Sequence, residues 1–341
     1  MFQHLLLAAG GDADEALEWL RALGERHGWF EAGLSFEDFR SRLLDDGDIE
    51  KTAAGEFRLT AGGEVRIRRD SLERVFAGLT RTGGTGEHRT QKPGSGVRER
   101  LSQTRPFQPG DESSDLNWGA STRNAMRRTG GALEFREEDL EVYETEASTS
   151  CATVIAIDIS HSMTLYGEDR ITPAKQVSLA LVELIRTRYP RDDISVLTFG
   201  DRAQQIEVPQ IVFLRNGPFH TNTREGLELA AQILSRKKHP NKQVFLVTDG
   251  KPSCLTEDGR LYKNPFGLDE KVVNKTLEMA AVLRRRDIVV TTFMLTSDPM
   301  LVSFVEEFTK LNKGRAYYSK ADELGSFLFV DYLRNRRRRV H

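Results

Sequence analysis

The chain has 341 residues, 38% of them hydrophobic, with 49 Lys and Arg against 51 Asp and Glu and a formal net charge of -2. That length suits a core domain with appendages, and the balanced charge selects neither an acidic nor a basic partner. Cys151 and Cys254 are the only cysteines and lack metal-ligand spacing, so neither a disulfide scaffold nor a zinc site is suggested. No stretch approaches the ~20 apolar residues of a membrane span, and the start Met1-Phe2-Gln3-His4-Leu5-Leu6-Leu7 has no basic n-region. The expectation is a cytoplasmic protein without membrane insertion.

Residues 1–80 read as a small helical or winged-helix-like domain. Helices are predicted over 13–23 and 35–44, the second opened by a capping box of Ser35 and Asp38. Glu56–Thr60, Gly62-Gly63 and Glu64–Arg68 read as a hairpin, followed by a helix carrying Leu72, Val75 and Phe76. Asp45, Asp46 and Asp48 make this unit acidic, which favours a docking or structural role over nucleic-acid binding. Residues 81–110, rich in Gly, Thr, Arg, Ser and Pro, read as a flexible linker, and 111–148 as an arm whose segments 133–135 and 140–145 extend a sheet edge. Arg98, Arg100, Arg105, Arg123, Arg127, Arg128 and the 336–341 tail are basic. Such charge runs are usually solvated, and stacking aromatics are not interleaved with these arginines.

Residues 149–335 alternate strand and helix as a doubly wound, mostly parallel α/β sheet does. Strands are predicted at 153–158, 194–199, 205–208 (an edge), 244–248, 288–295 and 316–318. Helices are predicted at 173–186, 224–235, 269–285, 299–311 (closed by Gly314) and 322–332. Two apolar strands end in aspartate: Thr153-Val154-Ile155-Ala156-Ile157 leads to Asp158, and Val244-Phe245-Leu246-Val247-Thr248 to Asp249. Ligands of open α/β sheets bind outside the carboxyl ends of strands, so the two carboxylates can converge on one cation. With serine and threonine hydroxyls nearby, the donor set is all oxygen, which suits Mg2+ better than zinc.

Asp158-x-Ser160-x-Ser162, then His220-Thr221-Asn222-Thr223, then Thr248-Asp249-Gly250, resembles the von Willebrand factor A (VWA) domain over about 149–332. The resemblance implies a Rossmann-like VWA fold with a metal-ion-dependent adhesion site (MIDAS) whose ligands are Asp158, Ser160, Ser162, Thr221 and Asp249. Pro218-Phe219-His220 stands where the family commonly has glycines, which leaves Thr223 as a competitor of Thr221. The ion is expected to be Mg2+, with Mn2+ or Ca2+ as alternatives, and an acidic side chain of a protein partner would complete its coordination. Phe107–Asp111, Leu116-Asn117-Trp118, Asn124–Arg128, Leu140–Glu146 and His239–Gln243 are similar to bacterial VWA proteins related to the magnesium chelatase D subunit. That similarity implies an adaptor beside an AAA+ ATPase of the MoxR or chelatase type.

Two other readings differ in class. A metal-dependent hydrolase would need a general base, and no base is placed by sequence, since His161 lies between two serines. No Gly-x-x-x-x-Gly-Lys-Ser/Thr loop is present, so the chain is not expected to hydrolyse ATP. Nucleic-acid binding through the first unit and the arginines would be steeply salt-dependent and indifferent to Asp158. The expectation is a non-enzymatic, metal-dependent protein-binding adaptor.

Overall fold

The computed structural model describes residues 1–30, 35–81, 98–108, 116–131, 134–147, 150–167, 169–217, 219–249, 252–264, 269–295 and 298–318. Most of the predicted linker, the predicted helix 322–332 and the basic tail lie outside these residues.

The N-terminal segment carries α1 (Phe2–Ala8), α2 (Ala13–His27), α3 (Phe36–Asp45), a ribbon of β1 (Ile49–Lys51) and β2 (Phe57–Leu59), and α4 (Ala61–Arg81). Asp12 caps α2 by accepting from the Glu15 amide at 3.1 Å, and the predicted capping box of α3 forms, with Ser35 Oγ accepting from Asp38 N at 3.1 Å. The predicted hairpin through Gly62-Gly63 does not form. Residues 64–68 are helical, and β2 turns back on β1 instead, pairing Ile49 with Leu59. Thr60 decides this: its Oγ1 accepts from Gly63 N at 3.0 Å and so caps the start of α4.

Residues 98–106, which composition places in the linker, form β3 (Arg98–Pro106). It pairs antiparallel with β4 (Glu141–Ala147) beside α5 (Trp118–Thr129). Residues 140–145, expected to lengthen the edge of the main sheet, therefore pair within a small unit of their own, whose described residues run from 98 to 150. Arg128 joins α5 to Asp139 at 2.8 Å within it.

The larger unit combines residues 1–81 with 151–318. After β5 (Cys151–Asp158) come α6 (Ile171–Arg188), β6 (Asp193–Phe199), β7 (Ala203–Ile206), α7 (Thr223–Ser235) and β8 (Asn241–Thr248). A ribbon of β9 (Cys254–Glu257) and β10 (Arg260–Lys263), then α8 (Glu270–Arg285), β11 (Ile288–Met294), α9 (Pro299–Asn312) and β12 (Arg315–Tyr318), follow. The sheet order is β12-β11-β8-β5-β6-β7, parallel throughout except for the antiparallel edge strand β7. This is the expected doubly wound α/β architecture.

All eight residues of β5 are buried because helices cover both faces of the sheet. Ile155 and Ile157 enter the core formed with α1, α2 and α6, while Val154 and Ala156 enter the core formed with α7, α8 and α9. The order reverses at β5, which lies between β6 and β8, so the crevice outside the ends of β5 and β8 is the topological switch point.

Helix α6 is buried on all sides and not on one stripe alone, Lys175 and Glu183 included. A helix apolar all round is a buried helix. Helix α4 packs on the side of α6 away from the sheet, where Arg68 Nε meets Glu183 Oε2 at 3.3 Å. Helix α9 ends on Lys313 in the left-handed conformation (φ 57°), and not on the predicted Gly314. Gly314 has another reason to be glycine: a Cβ there would overlap the Val290 carbonyl oxygen.

Candidate metal centre

Asp158 ends β5 with no exposed surface, and Asp249 follows β8 with 3% exposed. Asp158 accepts at both oxygens: Oδ1 from the Ser160 amide at 2.9 Å and Oδ2 from Thr248 Oγ1 at 2.6 Å. Both hydrogen bonds favour the charged carboxylate, yet burial, and then the charge of Asp249, push its proton affinity well above the usual carboxylate range. Two buried carboxylates, one of which raises the proton affinity of the other, would gain from a cation between them.

The serine loop runs from Ser160 into a short, tight 3-10 helix, His161–Gly167. Ser160 Oγ lies 3.0 Å from Ser162 Oγ, and Met163 N closes the turn on Ser160 O at 3.1 Å. His161 is exposed, as expected of a loop residue between the two serines. Thr221 is buried, and its backbone is held to the segment after β8: Thr221 N donates to Ser253 Oγ and Ser253 N to Thr221 O, both at 3.0 Å. Asn222, fully buried, caps α7 and donates from Nδ2 to Asp201 O, Glu225 and Thr256, which fixes the loop that presents Thr221. Thr223, the competing hydroxyl, is the first residue of α7 and lines a small interior cavity with Leu246, Thr248, Thr292, Phe304, Val305 and Phe308.

Among the described residues no three His, Cys, Asp or Glu side chains gather as a metal cluster. A cation here would therefore meet two carboxylates and hydroxyls, an all-oxygen set that fits a hard divalent ion and not zinc.

Three features at the site escaped the sequence reading. Arg170 Nη1 lies 3.6 Å from Asp249 Oδ2, with its side chain 12% exposed. Asp201 receives the His220 amide at 2.7 Å and Lys263 Nζ at 2.9 Å, which gathers charge beside Thr221. The loop after residue 211 is fastened to the serine loop, with Asn216 Nδ2 donating to Thr164 Oγ1 and Gly217 N to Ile159 O. A charged residue just before an apolar helix was the visible signal for Arg170. For the other two, sequence separation hid the contacts.

The reversed sheet order, the single antiparallel edge strand and the Asp-x-Ser-x-Ser turn at the switch point together define a von Willebrand factor A domain. Residues 151–333 match the family described as "Rv0959-like protein, vWA domain", and residues 99–145 match its "third domain". The chain belongs to this family of Rv0959-like proteins. It is 30% identical over 306 residues to "Uncharacterized protein Rv0959" of Mycobacterium tuberculosis H37Rv, and equally to "Uncharacterized protein Mb0984" of Mycobacterium bovis. The match covers 87% of this chain and 44% of each relative, so the chain spans less than half of their length. Similar solved structures include the PilB minor pilin of Streptococcus sanguinis (TM-score 0.45, 15% identity, 60% of this chain and 66% of that one). Another is the vWF domain of the type V pili tip protein Mfa5 of Porphyromonas gingivalis (TM-score 0.43, 10% identity, 57% and 99%). Among the described residues no helix is long and apolar enough to cross a membrane.

Proposed function

We propose that this chain is a non-enzymatic protein-binding module whose recognition element is a divalent cation, Mg2+ in the first place, held by Asp158, Ser160, Ser162, Thr221 and Asp249. The reading is supported above all by the two buried carboxylates at the switch point, flanked by the Ser160–Ser162 hydroxyl pair. Hydroxyl ligands are neutral, so such a site retains Lewis acidity for a carboxylate brought by a partner. The family resemblance of the motifs extends the proposal to an adaptor that joins an AAA+ ATPase of the MoxR or chelatase type to a client. The ion supplies a coordination position; the chain supplies its placement. Asn222 and Ser253 hold the threonine loop, and Thr248 and the Ser160 amide orient Asp158.

Two measurements test this. Calorimetric titration with Mg2+ and Mn2+ should show one site in the wild type and none in Asp158→Ala or Asp249→Ala. Tagged wild type should then retain an AAA+ ATPase from lysate of the natural host in Mg2+ and lose it in EDTA or with Asp158→Ala. Absence of cation binding would sink the metal reading, and metal-independent retention would move recognition elsewhere on the chain.

A further inference from the structure

We propose that Phe219 is an apolar platform at the rim of this site, and that the partner it selects presents a carboxylate and an apolar side chain on one face of an extended segment. The inference rests on the metal reading above and adds to it the residue that tells one carboxylate-bearing partner from another.

Phe219 is 40% exposed, and exposure alone would mean little, since single apolar side chains are common on protein surfaces. Its seat singles it out. The residue rests on Gly200, which follows β6, and on Gly217, in the loop fastened to Ile159. A Cβ at Gly200 would come within 2.8 Å of Phe219, and one at Gly217 would overlap the ring itself. Neither glycine has a positive φ, so what each provides is close approach and not a turn conformation. The backbone is fixed as well. Phe219 O accepts at 3.1 Å from the amide of His161, which stands between Ser160 and Ser162, and the next amide, His220 N, donates to Asp201 Oδ1 at 2.7 Å. Phe213, 47% exposed, differs because its ring lies against Gly11 in the turn between α1 and α2.

Position gives the consequence. Phe219 stands two residues before Thr221, so their Cα atoms are at most about 7 Å apart. In an extended segment, residues two positions apart point to the same face with about the same spacing, ~7 Å. A partner whose aspartate or glutamate reaches the ion is then placed to lay the side chain two positions away over the Phe219 ring. The ion by itself binds any carboxylate alike, free acetate included. Burial of an apolar side chain against a fixed aromatic ring adds a contact that only some carboxylate-bearing segments can make, and a difference of that kind is what specificity consists of.

The test uses the full chain loaded with Mn2+ and three blocked peptides, Gly-Asp-Gly-Phe-Gly, Gly-Asp-Gly-Ala-Gly and Gly-Asn-Gly-Phe-Gly. Their dissociation constants are read from the paramagnetic broadening of the peptide proton resonances. Wild type, Phe219→Ala, Phe219→Tyr and Asp158→Ala are compared, each first shown to unfold cooperatively in EDTA, with Asp158→Ala giving the background of unbound Mn2+. Wild type should bind the Asp and Phe peptide roughly tenfold more tightly than the Asp and Ala peptide, and should not bind the Asn peptide measurably. The ratio should fall to near one in Phe219→Ala and persist in Phe219→Tyr; as a ratio, it is insensitive to any change in Mn2+ affinity. A ratio near one in wild type, an undiminished ratio in Phe219→Ala, or failure of the Asp and Phe peptide to bind the loaded wild type overturns the proposal. So does loss of the ratio in Phe219→Tyr, because the effect would then be one of loop shape, and so does equal binding of the Asn peptide. If any of these happens while wild type binds Mn2+ and Asp158→Ala does not, the metal reading stands and the platform falls. If the folded wild type binds no Mn2+, both fall.

Discussion

Lys175 Nζ donates to the carbonyl oxygen of Leu7, 168 residues earlier, and to that of Leu214 at 2.9 Å. A lysine without exposed surface, in the middle of α6, thereby joins the end of α1 to the loop that leads toward Thr221. The same loop is gripped again when Arg215 Nη2 donates to Ala9 O at 2.6 Å and meets Glu15 at 3.2 Å. The N-terminal helices are thus part of the frame that holds the candidate metal centre.

Burial lowers the Lys175 pKa from 10.5 to about 8, with Asp169 opposing and Arg215 assisting. Because the unfolded chain holds this proton to higher pH than the folded one, stability rises with pH between about 8 and 10.5, and the cost of the buried charge is present in full below that window. The Cys254 thiol, pushed up to about 12 mainly by burial, acts in the opposite sense above pH 9. Denaturant unfolding should therefore show a gain of about 1 kcal/mol from pH 7 to 9, absent in Lys175→Met. A flat profile in the wild type would refute it.

Thr248→Val removes the 2.6 Å hydrogen bond to the buried Asp158 Oδ2 while keeping the volume of the side chain. A buried carboxylate that loses a donor costs about 1–3 kcal/mol, to be read by urea denaturation in EDTA. Unchanged stability would mean that the hydrogen bond does not support the folded state.

Glu183 faces both Arg68, at 3.3 Å, and Arg69, at 3.8 Å. Glu183→Leu leaves Arg68, 9% exposed, without its carboxylate and is expected to cost about 3–5 kcal/mol. Arg68→Leu should cost less, because Arg69 stays within reach of Glu183, and the double variant should lose less than the sum of the two. Additive losses in the thermodynamic cycle would show that the pair is not coupled.

Gly11 has φ +82°, and a Cβ there would meet the Phe213 ring. Gly11→Ala is expected to cost about 1–3 kcal/mol through backbone strain. It should also speed hydrogen exchange of the Gly217 amide, which donates to Ile159 O in the serine loop. Exchange at the wild-type rate would show that the turn between α1 and α2 does not hold that loop.

Strand-helix alternation after Cys151 is legible in the sequence because each element is encoded by neighbours within a turn or a pleat. The run Thr153–Ile157 has five apolar or β-branched residues, and its burial on both faces follows from that run alone. The capping box at Ser35 is equally local. The second strand of the predicted hairpin is not, since one hydroxyl, Thr60 Oγ1, turned Gly62-Gly63 from a turn into a helix start. The edge placement of residues 140–145 depended on an upstream partner strand that composition disguises as linker: Thr104 pairs with Tyr143, and its hydroxyl donates to Glu141, 37 residues on.

By itself the sequence determined the α/β class and set both candidate carboxylates at the ends of apolar strands. Only the tertiary structure decided that β8 lies beside β5, that Arg170 comes to rest against Asp249, and that Lys175 and Glu183 are buried beneath the N-terminal helices. Periodicity reports which face of an element avoids water. It does not report which distant segment covers that face, because that choice is made by crossovers and by the pairing of buried charges across more than a hundred residues.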